Sequence, residues 1–111
     1  MTKNISYKKY LIESLKNPEE AAGYLNAALE GGDISVFLLA LQNVIQAQGG
    51  ITKIAEKTQK SRTSLYKALT KTGNPYLKST NDLLAALNMQ FAVVCSGTKH
   101  RAMRATAARI R

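Results

Sequence analysis

Helix-stopping residues cut this chain into short lengths. Asn17-Pro18, Gly31-Gly32, Gly49-Gly50 and Gly73-Asn74-Pro75 are spread along it. Proline lacks an amide proton and biases the residue before it away from the helix, and glycine takes the left-handed conformation that ends one. Between these stops the apolar residues recur at helical spacing. Tyr7, Tyr10, Leu11, Ser14 and Leu15 fall on one face, then Ala21, Tyr24, Leu25, Ala28 and Leu29, then Ile34, Phe37, Leu38, Leu41, Val44 and Ile45. Asn17 is placed to cap the second helix, with Pro18 at its first position and Glu19 and Glu20 at the positive end of its dipole. Asp33 caps the third.

Shorter elements follow. A helix is predicted over 51–58, with Ile54 and Ala55 facing inward. Ser61 caps a helix to about Thr70, with Leu65, Ala68 and Leu69 inward and Gly73 ending it. Ser79 with Asp82 three residues on predicts a capping box, opening a helix that buries Leu83, Leu84 and Leu87. From Met89 the pattern changes: 91–94 is compact, β-branched and uncharged, which reads as one strand over about 90–95. A lone strand needs a partner outside its own chain, either a second copy or another protein. The other reading of this segment is an apolar stretch packed on the helices. The expected fold is therefore all-α: a compact domain of five to six helices over 1–96, one short C-terminal β-strand, and a basic disordered tail over 97–111.

At 111 residues, with 45% apolar side chains, the chain holds one compact core and is too apolar for wholesale disorder. Cys95 is the single cysteine, which excludes a disulfide scaffold. No apolar run follows Lys3, Lys8 and Lys9, so no signal peptide is expected. The continuously apolar stretch 36–41 is far short of the roughly 20 residues that span a bilayer. A cytoplasmic protein without a membrane partner is expected. An enzyme is not, and neither is a cofactor: His100 and Cys95 stand singly, adjacent Glu19 and Glu20 point to different faces, and no metal set, nucleophile–base pair or phosphate loop can be assembled.

The formal charge of +9 points toward a polyanion, and its distribution narrows the choice. Residues 1–50 carry a net −1, residues 51–96 a net +5, and residues 97–111 another +5. The basic part coincides with the two short helices over about 51–70, whose tight joint is the layout of a helix-turn-helix. That motif needs a small residue where the helices cross, and Ala55 supplies it. It needs a cap and an apolar anchor in the second helix, and Ser61 and Leu65 supply them. Arg62, Thr63, Ser64 and Lys67 then form the exposed face that reaches base edges: arginine bonds guanine bidentately, and threonine and serine adapt to several edges.

These stretches resemble the bacterial and prophage addiction-module antidote proteins, antitoxins with a Cro-like phage-repressor helix-turn-helix. The resemblance runs over roughly 7–94. It rests on Tyr10-Leu11-Ile12-Glu13-Ser14-Leu15-Lys16, Pro18-Glu19-Glu20-Ala21-Ala22, Tyr24-Leu25-Asn26-Ala27-Ala28-Leu29, Phe37-Leu38-Leu39-Ala40-Leu41, Ile54-Ala55 and Ser61-Arg62. Its most specific parts are Ser64-Leu65-Tyr66-Lys67-Ala68-Leu69 and Gly73-Asn74-Pro75. The resemblance implies an antitoxin that neutralises a small basic toxin of the RelE superfamily, an mRNA-cleaving ribonuclease, and represses its own operon as a homodimer on double-stranded operator DNA. The chain departs from the family at Gln59, where glycine is usual in the turn, at Lys60, where an apolar residue is usual, and at Asn88, where glycine is usual.

Within that frame Arg62, Thr63 and Lys67, with Ser64 beside them, are the expected base readers. Thr52, Lys53, Lys60, Lys71 and Asn74 are the expected phosphate contacts, placed at helix starts or in loops beside the second helix. Lys57 and Lys78 read as solubility charges, and Tyr66 as a packed residue with a bonded hydroxyl rather than a phosphate contact. The tail is either a DNA-tracking arm or a solubilising extension. The near-neutral residues 7–48 are the expected toxin surface, or else only complete the core. A free-standing prophage repressor without a toxin is the alternative function, and a nonspecific architectural DNA binder comes third.

Overall fold

The computed structural model describes residues 2–70 and 75–96, with side chains from residue 7 onward. Six helices follow one another in this region: α1 (Thr2–Ser14), α2 (Pro18–Gly31), α3 (Ile34–Ala47), α4 (Gly50–Thr58), α5 (Arg62–Thr70) and α6 (Leu77–Ala86). The third is the axis of the fold. It packs against α1, α2, α4 and α5, while α6 closes over α4. A helix surrounded in this way buries far more than one stripe, and α3 buries Phe37, Leu38, Ala40, Leu41, Val44, Ile45 and Ala47 together with the polar Asn43. Leu25, Ile54, Leu65, Leu69, Leu83 and Leu84 complete the core from α2, α4, α5 and α6, with Leu15 just after α1.

Local chemistry sets most helix ends. Asn17 Oδ1 accepts from the amides of Glu19 at 2.8 Å and Glu20 at 3.2 Å, and Pro18 opens α2. Gly32, at φ 80°, ends that helix in the left-handed region. The Asp33 carboxylate accepts from the Ser35 amide at 2.9 Å and starts α3. The α3–α4 joint passes through Gly49 at φ 121° and Gly50 at φ 88°. The φ of Gly49 strains any residue with a Cβ, so glycine is favoured there by the backbone, while the nearest atom such a Cβ would meet is Cδ of the flexible Lys53 side chain.

Polar side chains tie the helices across longer distances. Asn43 donates to the Tyr24 hydroxyl at 2.9 Å and accepts from the Lys8 ammonium at 3.2 Å, joining α1, α2 and α3. Gln48 donates to the Leu15 carbonyl at 2.8 Å, just beyond the end of α1.

Several expectations need correction. Tyr7 and Tyr10 do not face the core; they are 65% and 72% exposed. The inner edge at this end of the chain is Leu15 with the partly buried Leu11 and Ile12, because α1 lies against α3. Ile34 and Leu29 are likewise exposed. The Ser79–Asp82 capping box is not made. α6 starts earlier, after Tyr76, and the Asp82 carboxylate instead takes the ammonium groups of Lys78 at 3.3 Å and Lys60 at 3.7 Å.

The strand expected over about 90–95 is absent. α6 ends in paired bonds from the Asn88 amide to the Ala85 carbonyl at 3.0 Å and from the Met89 amide to the Leu84 carbonyl at 2.8 Å, with Asn88 at φ 63°. The chain then runs irregularly over the helices, the Phe91 ring lying 6.3 Å from that of Phe37. No other segment of the described chain is a strand, so there is no ladder for it to join. Gly73 as a helix stop and the basic tail 97–111 lie outside the described residues.

Candidate nucleic-acid interface

α4 and α5 are joined by residues 59–61 and pack on each other and on α3. The joint is possible because Gln59 takes the left-handed conformation, φ 59° and ψ 31°. The Ser61 hydroxyl accepts from the Ser64 amide at 3.0 Å, and its carbonyl accepts from the Leu65 amide at 3.1 Å, which starts α5 as expected. Leu65 and Leu69 are 1% and 2% exposed, and Ile54 beneath them is 1% exposed. At the far end, Gln42 of α3 donates to the Leu69 carbonyl at 3.1 Å. α5 is thus held at its start, along one face and at its end.

The opposite face carries the expected base readers. Arg62, Thr63, Ser64 and Lys67 are all exposed, as are Thr52, Lys53 and Lys60. Arg62 is not free-standing: its Nη1 donates to the Thr52 hydroxyl at 3.3 Å, which links the first turn of α5 to the first turn of α4. Thr52, expected at a phosphate, accepts this bond through its hydroxyl. Lys60 is 39% exposed at its side chain and bound to Asp82, which leaves it less charge to offer a phosphate than the sequence suggests. Lys71 and Asn74 lie outside the described residues.

Two further side chains differ from expectation. Tyr66 is 53% exposed, standing on the surface rather than buried. Lys57, read as a solubility charge, donates to the Ala86 carbonyl at 3.1 Å and fastens α6 to α4. Lys57, Lys60 and Lys78 line one recess of about 550 Å³ between these helices, with Asp82 as its acid. Gln42 was missed altogether. Its only mark in the sequence is an uncharged polar residue within the most apolar helix.

A second recess, of about 400 Å³, is apolar and lies away from α5. Leu25 and Leu29 of α2, Phe37, Leu84, Met89 and Phe91 line it. Among the described residues no group of three or more His, Cys, Asp and Glu side chains is arranged to hold a metal ion. No single described helix is long and apolar enough to cross a membrane.

The family model for probable addiction module antidote proteins matches residues 6–95, from α1 through the segment after α6. The chain belongs to this family. An uncharacterized protein of Haemophilus influenzae is 40% identical to this antidote over 83 residues, covering 75% of this chain and 84% of the relative. No solved structure matches it. The family match takes in most of α1 and the whole of α2 to α6, including the α4–α5 pair, and leaves the basic residues 97–111 outside.

Proposed function

We propose that this antidote belongs to a type II toxin–antitoxin module, that it represses its own operon by sequence-specific DNA binding, and that α4–α5 is a Cro-like helix-turn-helix. The observation that carries this is the build of α5. Leu65 and Leu69 lock it to the core, while Arg62, Thr63, Ser64 and Lys67 stand exposed on its first turns. A helix held this firmly can lay its N-terminal side chains in a major groove without further ordering. Over 50–70 the chain carries a net +4, which favours approach to phosphate. Arg62, oriented by Thr52, is the base reader; Thr63, Ser64 and Lys67 read beside it. Lys53 and Lys60 contact phosphates, with Lys71 and Asn74, which follow α5 in the sequence. The protein acts by binding in the cytoplasm, as a homodimer, and catalyses no reaction.

The partner protein in this reading is a small basic toxin of the RelE superfamily. Over residues 7–47 the antidote carries a net −2, so a basic partner approaches that side without repulsion. Acidic Glu19, Glu20, Glu30 and Asp33 all lie on or beside α2, away from the α4–α5 sequence.

Fluorescence anisotropy on a duplex from upstream of the antidote's own gene, against a scrambled duplex, tests the DNA reading. The native duplex should bind more tightly. Arg62→Ala should lose 10- to 100-fold in affinity for it, corresponding to about 1–3 kcal/mol for a bidentate base contact. Equal affinity of the wild-type protein for both duplexes would reject specific repression. Co-expression with the adjacent open reading frame tests the toxin: growth arrest relieved by the antidote supports the module, and an adjacent gene without toxicity favours a free-standing repressor.

A further inference from the structure

We propose that the apolar recess between α2 and residues 89–92 is the seat of the toxin, and that it takes an apolar side chain of that protein flanked by a lysine or arginine. This rests on the toxin reading above and gives it a place on the surface. Buried Leu25, Phe37 and Leu84 form the floor of the recess, and Leu29, Met89 and Phe91 stand around it. The recess is built before anything enters it. The Met89 amide donates to the Leu84 carbonyl at 2.8 Å, and the Phe91 ring is seated 6.3 Å from that of Phe37. A site formed in advance spends little of its binding energy on ordering. Its volume of about 400 Å³ falls within the roughly 300–1,000 Å³ of pockets that take apolar ligands. Asn26, Glu30 and Gln90 complete the lining, so that polar groups border an apolar centre, as in a protein–protein interface.

Charge selects the occupant. The chain carries a net +9, yet the recess is drawn from two stretches that contain none of its cations. Between Lys16 and Lys53 there are four acidic residues and no lysine or arginine, and from 83 to 96 there is no charged side chain. Among the described residues that line the recess, Glu30 is the one that is charged. A basic partner therefore meets an acid here and no opposing cation. The larger recess between α4 and α6 presents Lys57, Lys60 and Lys78 and would repel it. A second copy seated here about a two-fold axis would set Glu30 against Glu30, which disfavours it. No described residue of α4 or α5 lines the apolar recess, so the toxin and a DNA duplex can be held at the same time.

Isothermal titration calorimetry of the full-length antidote with the purified product of the adjacent open reading frame tests the proposal. Glu30→Lys and Leu29→Arg should each weaken binding by about 10-fold or more, as for residues at the centre of an interface. Both positions are exposed, so the far-ultraviolet spectrum and the thermal midpoint should stay as in the wild type. Glu13→Lys makes the same charge change outside the recess and should bind like the wild type. Wild-type affinity in both recess variants would overturn the proposal and leave the toxin reading standing. Equal weakening by Glu13→Lys would reduce the effect to net charge and overturn it as well. A changed sedimentation coefficient of Leu29→Arg, with toxin binding intact, would assign the recess to a second copy instead. No binding by the wild-type antidote would reject the toxin reading itself, and the proposal with it.

Discussion

Gln59 sits at φ 59°, a conformation that costs a residue with a Cβ on the order of 1 kcal/mol and costs glycine almost nothing. The joint between α4 and α5 is made through this conformation, so the strain accompanies the turn. Gln59→Gly should therefore stabilise the fold by about 0.5–1 kcal/mol, the gain reduced by glycine's greater freedom when unfolded. A urea denaturation midpoint that moves up would agree, and one that moves down would show that the Gln59 side chain contributes more than its backbone costs. Asn88 meets the same demand at φ 63° with a residue better suited to it. Both positions were legible through the family resemblance, in which glycine is usual at each. Thr52 was legible only in part. Its position at the start of α4 is plain from the sequence, but the 3.3 Å bond from Arg62 is not, since ten residues and a turn separate the two.

At the scale of the element, α5 is a nine-residue helix, too short to hold together by propensity alone. It persists because Ser61 caps its start, Leu65 and Leu69 anchor one face, and Gln42 closes its end. Ser61→Ala should cost about 1 kcal/mol of stability, measurable by thermal unfolding, as for other N-caps removed in this way. No change would mean that the start of α5 is held by its leucines alone. The caps at Asn17, Asp33 and Ser61 could be read beforehand because a cap and the amide it serves lie within three residues. The bonds from Gln42 to Leu69, Gln48 to Leu15 and Lys57 to Ala86 could not. They span 27, 33 and 29 residues, and nothing local in the chain signals them. The same limit explains the expected strand over 90–95. Its apolar, β-branched composition was visible, while the absence of a partner within the described chain is a property of the whole fold.

Across the whole molecule, charge is divided along the chain and the fold keeps the division. Acidic residues gather on and around α2, and basic residues on α4 and α5, with α3 between the two groups of helices. A second basic block, 97–111, adds five cations beyond the family match. If this block tracks the phosphate backbone in the complex, removing it should flatten the slope of log affinity against log salt by about 0.9 for each phosphate that it neutralised. An unchanged slope would make it a solubilising extension. Among the described residues the buried core lies within 15–87.

The helix breaks, their caps, the apolar faces of α2 and α3 and the partition of charge follow from the sequence by itself, since each depends on residues within one or two turns of one another. Tertiary structure alone decided that α1 turns its tyrosines outward, that Arg62 rests on Thr52, that Lys60 and Lys78 share Asp82, and that 90–94 leaves α6 without joining a ladder. Those outcomes depend on which helices become neighbours. Neighbours are chosen by the burial of a common core, which no single stretch of the chain contains.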